Sequence, residues 1–150
     1  MLFRSSNTGN FVVGVGTQSV NTNTGDAVIG IGTNAANSNS GTNVAAIGEQ
    51  AGYQNTGSDV IGVGRHSAYQ NTGDGIIAMG QNACNGNTGS NNIGIGQGAL
   101  ESNTGDYVVA LGYTGGLGNA LSGITIISNN SLDRKSTRLN SSHSSVSRMP

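Results

Sequence analysis

The chain has 150 residues, of which 9% are charged and 4% aromatic, with 26 glycines, one proline and a formal net charge of −1. Residues 1–132 carry six acidic side chains, two arginines and no lysine. Almost nothing there neutralises phosphate groups, which argues against nucleic-acid binding. No apolar run is long enough for a transmembrane helix, so direct membrane insertion is not expected.

The composition also limits the kind of core that this chain can build. Large side chains are few, and glycines cost more entropy to order than other residues. An architecture in which small residues pack closely is therefore favoured. The single cysteine, Cys84, excludes an internal disulfide framework, and we interpret it as a small packed side chain rather than a reactive thiol.

At the N-terminus, residues 1–6 are predicted to be part of a repeat that precedes the first complete one. The segment "MLFRSSNTGN" has no apolar core of a signal peptide. It predicts either a non-secretory protein or a fragment whose start is missing.

From residue 7 to residue 118, the sequence repeats every 16 residues without an insertion. Asn-Thr-Gly or Asn-Ser-Gly begins each of seven repeats, at Asn7, Asn23, Asn39, Asn55, Asn71, Asn87 and Asn103. We number the positions of each repeat from this Asn and call the repeats coils 1 to 7. Seven repeats of constant length predict a solenoid in which each coil is stable only beside its neighbours.

Two glycines occur in every repeat, at positions 3 and 10. Position 3 is Gly9, Gly25, Gly41, Gly57, Gly73, Gly89 and Gly105; position 10 is Gly16, Gly32, Gly48, Gly64, Gly80, Gly96 and Gly112. Both are predicted to be sharp corners with positive φ.

Between these glycines, each repeat predicts one β-strand. Positions 7 and 9 are apolar and mostly β-branched, as in Ile29 and Ile31, which is typical of a strand. We expect these side chains to face the inside of the coil. Position 8 is always Gly or Ala beside a row of Val or Ile at position 6, broken only by Asn92, which suggests that another backbone comes close. Small residues at position 13 predict a second short strand pressed against the first.

After coil 7 the pattern weakens. Residues 119–132 lack glycine at positions 3 and 10 and are predicted to be a degenerate last coil or a transition to another domain. Residues 133–143, "DRKSTRLNSSH", equal the codon-by-codon translation of a widely used sequencing-library adapter. We therefore expect residues 133–150 to be a disordered, artefactual tail on a metagenomic fragment and give them no functional weight.

The pattern "NTG-x-x-V-I-G-I-G-x-x-A" resembles the head repeats of trimeric autotransporter adhesins and related repeats of phage and viral tail fibres. The resemblance covers residues 7 to about 118. It implies a left-handed parallel β-roll assembled as a homotrimer, located outside the cell, on the cell surface or on a virion surface. The 16-residue period is longer than that of the usual adhesin head.

This resemblance implies a non-enzymatic structural or adhesive fibre segment that extends and presents a surface to a host glycan or receptor. No cofactor is expected, and no catalytic or metal-binding residues are identified. Gly-x-Gly recurs with the repeat rather than opening a helix, so it does not indicate a nucleotide loop. Asp26, Asp74 and Asp106 follow the turn glycine without the spacing of a calcium roll and are interpreted as solvated turn carboxylates.

The candidate glycan or receptor contact is a pair of Tyr-Gln dipeptides in successive coils. Tyr53 with Gln54 and Tyr69 with Gln70 occupy positions 15 and 16 and should lie one rung apart. Aromatic rings beside amides suit sugars. The alternative is an aromatic ladder that only stabilises adjacent rungs.

A different class of function is a monomeric ice- or surface-binding solenoid. Position 2 supplies a row of hydroxyls about 4.8 Å apart if the coils stack as strands do. Its threonines are Thr8, Thr24, Thr56, Thr72, Thr88 and Thr104. The alternative interpretation is that Thr and Asn hydrogen-bond along a turn ladder.

Overall fold

In the computed structural model, which describes residues 6–127, the chain forms a parallel β-solenoid with a 16-residue period. Each coil contributes one strand to a single sheet, and the strands follow one another in chain order. The strands are β1 (Val13–Val15), β2 (Val28–Ile31), β3 (Val44–Ile47), β4 (Val60–Val63), β5 (Ile76–Met79), β6 (Asn92–Ile95), β7 (Val109–Leu111) and β8 (Thr125–Ile127). No helix occurs among residues 6–127. The predicted all-β parallel solenoid is confirmed.

Adjacent strands pair residues that lie 16 positions apart. Val44 is beside Val60, and Ile61 is beside Ile77. Equivalent positions of the repeat therefore stack in rows along the solenoid axis. At about 4.8 Å per strand, seven coils extend roughly 30 Å.

The strand face that points into the coil is the opposite of the one predicted. Position 6 is buried, as at Val28 and Ile76, whereas Ile29 and Ile31 at positions 7 and 9 are 42% and 39% exposed. The prediction that positions 7 and 9 face the inside is wrong. The interior is too thin for two rows of large side chains, and only the Gly or Ala of position 8 fits opposite the back of the coil.

The backbone that approaches the Gly/Ala row belongs to the same chain. A Cβ at Gly30 would lie 2.8 Å from the carbonyl oxygen of Ala35, and one at Gly94 would lie 2.8 Å from Sγ of Cys84. The residue at position 14 compensates for the residue at position 8: Gly14 accompanies Val20, whereas Ala46 accompanies Gly52. The inferred close backbone is thus present, but it is not that of a second copy.

The back of each coil is a series of turns, not the second strand that position 13 predicted. Positions 12, 14 and 16 have positive φ in all seven coils, as in Asn34, Ala36 and Ser38. This alternation prevents an extended strand. The turns still hydrogen-bond between coils, for example from N of Ala36 to O of Ala51 at 2.8 Å.

The two glycines of each repeat have different roles. Position 10 has the predicted positive φ, 132° at Gly32. Position 3 does not, so that prediction is wrong. A Cβ at Gly57 would overlap the carbonyl oxygen of Gly73 in the next coil, so glycine is required there because the coils stack closely.

A ladder of asparagine side chains runs through the interior at position 1. Nδ2 of Asn71 donates to Oδ1 of Asn55 at 2.8 Å and to the carbonyl oxygen of Gly73 at 2.7 Å, and Oδ1 of Asn71 accepts from Nδ2 of Asn87. The same pattern extends from Asn7 to Asn119. Each buried carboxamide is thus hydrogen-bonded to its neighbours along the axis. The Asn part of the predicted ladder is therefore present.

The part of residues 119–132 that the structure describes continues the stacking. β8 pairs in parallel with β7, with Ile126 beside Ala110. Ile124 and Ile126 pack against the core at the point where a further coil would otherwise cover it. The predicted artefactual tail, 133–150, lies outside the described residues.

Candidate binding surfaces

The side chains at positions 7 and 9 form a continuous apolar surface on the outside of the sheet, which we call the outer face. Its residues are Val13, Val15, Ile29, Ile31, Ala45, Ile47, Ile61, Val63, Ile77, Met79, Ile93, Ile95, Val109 and Leu111. Eight of them are about half exposed, from Ile31 at 39% to Val15 at 52%. Because a contiguous exposed apolar patch marks an interaction site on a soluble protein, the outer face is the first candidate surface.

The two long edges of the outer face differ in composition: position 11 is polar or Tyr in every coil, whereas position 5 is polar in coils 3, 4 and 6 and is Phe, Ala, Gly or Tyr in the others. Position 5 forms one edge just before the strand, and position 11 forms the other just after the corner glycine. In coil 4 these positions hold Asp59 and Arg65, both exposed. Oδ1 of Asp59 accepts from Nδ2 of Asn43 at 2.9 Å. Among the described residues, the guanidinium of Arg65 has no ion-pair or hydrogen-bond partner.

The threonines of position 2 form a straight, solvent-facing row. Thr56, Thr72 and Thr88 are exposed, and their backbone amides donate to the asparagine carbonyl of the next coil, at 2.9 Å each. Within residues 6–127 their hydroxyls have no hydrogen-bond partner. The ladder therefore uses the Asn side chains, while the Thr side chains remain available to solvent.

The structure brings the four predicted contact residues together. The rings of Tyr53 and Tyr69 stack at a centroid distance of 5.3 Å and an interplanar angle of 13°, and Nε2 of Gln70 donates to Oε1 of Gln54 at 2.9 Å. His66 lies against Tyr69 at 5.3 Å between ring centroids. Because stacking occupies one face of each tyrosine ring, a sugar has access to the ring edges and the outer faces only.

The turn carboxylates of position 4 have a structural role that sequence reasoning missed. Oδ1 of Asp74 accepts from the backbone N of Ser58, and Oδ1 of Asp106 accepts from that of Ser90, at 2.7 Å each. In the intervening coil, Oγ of Ser90 accepts from N of Asp74 at 3.2 Å. A short acceptor at position 4 thus caps the amide of the preceding coil, which explains why this position holds only Asp, Asn, Ser or Thr. That restriction is visible in the sequence.

Cys84 lies in the interior, as expected of a packed side chain. It is fully buried at position 14, and Sγ lies 3.9 Å from the carbonyl oxygen of Ile77. Burial raises the pKa of the Cys84 thiol to about 12, and a hydrogen bond with the backbone of Gly94 offsets this only in part. At neutral pH the thiol is protonated and inaccessible.

Within residues 6–127 no three His, Cys, Asp or Glu side chains lie close enough to hold a metal ion. No helix in this part of the chain has the length and apolarity needed to cross a membrane.

Comparisons with known family models, curated proteins and solved structures give no match to this chain.

Proposed function

We propose that this chain is a segment of a non-enzymatic fibre, of the kind found in adhesin heads or in phage and viral tail fibres. In this proposal, three copies form a left-handed β-roll fibre outside the cell, on the cell surface or on a virion. The observation that carries the proposal is the outer face: fourteen aligned apolar side chains on the exposed side of seven coils. The trimeric state and the left-handed winding of the coils come from the resemblance of the repeats to adhesin heads.

The size of the outer face suits assembly through many coils rather than a few. Burying the exposed part of a half-buried aliphatic side chain contributes on the order of 1 kcal/mol. The eight half-exposed side chains contribute on the order of 8 kcal/mol together and the six less exposed ones somewhat less each, against an association cost of about 4–15 kcal/mol. Stable assembly therefore requires that most of the face be engaged, which favours copies that lie side by side along their whole length.

Sedimentation of the purified chain tests the assembly. We expect a trimer for the wild type and a folded monomer for Ile29→Asp combined with Ile61→Asp, because a carboxylate on the outer face would have to be buried in the assembly. The matched control, Thr22→Asp with Ser102→Asp, places the same charges on the exposed back of the coils and should remain trimeric. A compact wild-type monomer at micromolar concentration would contradict the proposal.

Receptor contact is assigned to Tyr53, Gln54, Tyr69 and Gln70, and the ligand class is a surface glycan. Replacing both tyrosines by serine should weaken binding to a glycan array or to cells while sedimentation remains unchanged. The control, Asn85→Ser with Glu101→Ser, changes the same position in the next two coils and should bind as the wild type does. If binding is unchanged in the tyrosine variant, the stacked pair is only structural.

A second candidate, a monomeric ice- or surface-binding solenoid, is favoured by one observation. The hydroxyls of the position-2 threonines face solvent in a straight row and lack a partner among the described residues. Replacing Thr56, Thr72 and Thr88 together by valine should abolish thermal hysteresis in this case, whereas Thr17→Val with Thr33→Val should not. Absence of hysteresis in the wild type removes this candidate.

A further inference from the structure

The two edges of the outer face carry opposite charges in the same coil. Asp59 at position 5 and Arg65 at position 11 flank strand β4 and are both exposed. They form no ion pair with each other among the described residues, because the length of strand β4 lies between them. Arg65 is the only Lys or Arg between residues 6 and 127.

The symmetry of an assembly decides which edges meet. When copies run parallel and in register around a common axis, the position-5 edge of one copy meets the position-11 edge of the next at the same rung. When two copies run antiparallel with full overlap, each edge meets its own counterpart and the order of coils is reversed.

We propose that Asp59 of one copy pairs with Arg65 of the next and thereby fixes a parallel, in-register assembly. This inference rests on the proposed function, which supplies the assembly but not its alignment. In an antiparallel arrangement position 5 meets position 5 and position 11 meets position 11, so Asp59 and Arg65 never meet. A shift by one coil would place Asp59 against Glu49 in one direction and against Gln81 in the other. Only the in-register arrangement pairs the two charges.

The other coils agree with this register. In coils 3, 6 and 7, positions 5 and 11 hold residues that can bond or pack with each other across an interface, namely Asn43 with Glu49, Asn91 with Gln97, and Tyr107 with Tyr113. No other coil brings two like charges together in register. The charged pair in coil 4 therefore favours the in-register arrangement, whereas the apolar rows are nearly the same in every coil and do not select a register.

Cross-linking of the full chain tests the alignment. The wild type should give no cross-linked product, because its single cysteine is buried. Asp59→Cys with Arg65→Cys, treated with a short bismaleimide, should give covalent trimers on a denaturing gel. Asp59→Cys alone should give none, because in a parallel assembly position 59 does not meet itself. The shifted control, Tyr107→Cys with Arg65→Cys, moves one thiol three rungs, about 14 Å, along the axis and should give at least tenfold less product.

Each outcome has a defined meaning. Dimers from Asp59→Cys alone would show an antiparallel assembly and overturn the proposal, and efficient product from the shifted control would show the wrong register. An assembly that sediments as an oligomer but gives no product with the 59/65 pair would also overturn it. A wild-type chain that sediments as a monomer would instead overturn the assembly on which the proposal rests.

Charge reversal tests whether Asp59 and Arg65 attract each other, whereas cross-linking tests how close they lie. Asp59→Lys or Arg65→Glu alone should weaken association on the order of tenfold at low ionic strength, because like charges then meet at each interface. The combined variant restores the pair and should return to within about threefold of the wild type. The single-variant effects should shrink as salt is added. If the combined variant is as weak as the singles added together, the two residues do not pair.

Discussion

On strand β5 two identical side chains lie next to each other, and one is fully buried while the other faces outward. Ile76 is 0% exposed, whereas Ile77 belongs to the outer face. The interior row, at position 6, packs against the turns of the same coil. No other part of the described chain covers the outer face. Hydrophobicity alone does not distinguish the two rows. The space available on each side does.

The largest effect is expected from the polar part of the interior. Asn71→Leu leaves Oδ1 of Asn55 and the carbonyl oxygen of Gly73 without a partner, and Nδ2 of Asn87 keeps only its bond to the carbonyl oxygen of Gly89. At about 1–3 kcal/mol per buried unsatisfied group, we expect a loss of about 4 kcal/mol in the free energy of unfolding. Urea unfolding followed by circular dichroism measures it. Thr72→Leu, the exposed neighbour, is the control and should change the midpoint little; equal losses would contradict the ladder.

The neighbouring isoleucines of β5 give the most direct test of inside against outside. Ile76→Ala should cost about 3 kcal/mol in unfolding free energy, because it removes packed atoms from a closed interior. Ile77→Ala should cost on the order of 1 kcal/mol in the isolated chain but should weaken assembly more than Ile76→Ala does. Urea titration and sedimentation of both variants separate these effects. The reverse ranking in stability would mean that the two faces are exchanged.

A smaller effect is expected from filling the space between the strand and the back of the coil. A Cβ at Gly62 would lie 3.1 Å from Oγ of Ser67 and 3.4 Å from Cβ of Ala68, so Gly62→Ala should cost about 1–2 kcal/mol. Adding Ala68→Gly copies the Ala46 and Gly52 combination of coil 3 and should recover part of the loss. A double-mutant cycle measures the coupling, and strict additivity would rule out this compensation.

The last effect concerns the interior thiol and is confined to alkaline pH, so it is the smallest of the four near neutral pH. The folded state holds the Cys84 proton more tightly than the unfolded state, since its pKa is raised from 9.0 to about 12. The unfolded chain therefore ionises first, and stability should fall as pH rises above about 9, by no more than about 1.4 kcal/mol per pH unit. Cys84→Ala should remove this component. Identical pH profiles for the two proteins would show that the thiol is not shielded.

The sequence predicted the architecture well because the period is strict. Constant spacing of Asn and Gly located every coil, and the apolar stretch between the two glycines located every strand. It did not predict the inward face, because Val28 and Ile29 are both apolar and alternation cannot choose between them. Volume was the missing criterion: Gly or Ala at position 8 matches the small residue at position 13, so the thin side of the strand had to be the inner one.

The candidate surfaces were predictable to different extents. Stacking of Tyr53 on Tyr69 followed from their spacing of 16 residues, and so did the alignment of the threonines. The outer face was missed because its residues were assigned to the core. The prediction of a second strand was wrong because the back of the coil uses left-handed conformations at residues such as Ala36 and Leu100. These are unfavourable for residues with a Cβ and become tolerable only through hydrogen bonds to neighbouring coils.

The asparagine ladder has a direction, and that direction matters as the chain is synthesised. Each carboxamide donates to the coil before it and keeps its oxygen for the coil after it, as Asn39 does between Asn23 and Asn55. A growing solenoid therefore always ends in an open acceptor, and each coil that leaves the ribosome brings the matching donor. Along this ladder, folding can follow translation one coil at a time, because each new coil supplies the donor that the open acceptor lacks.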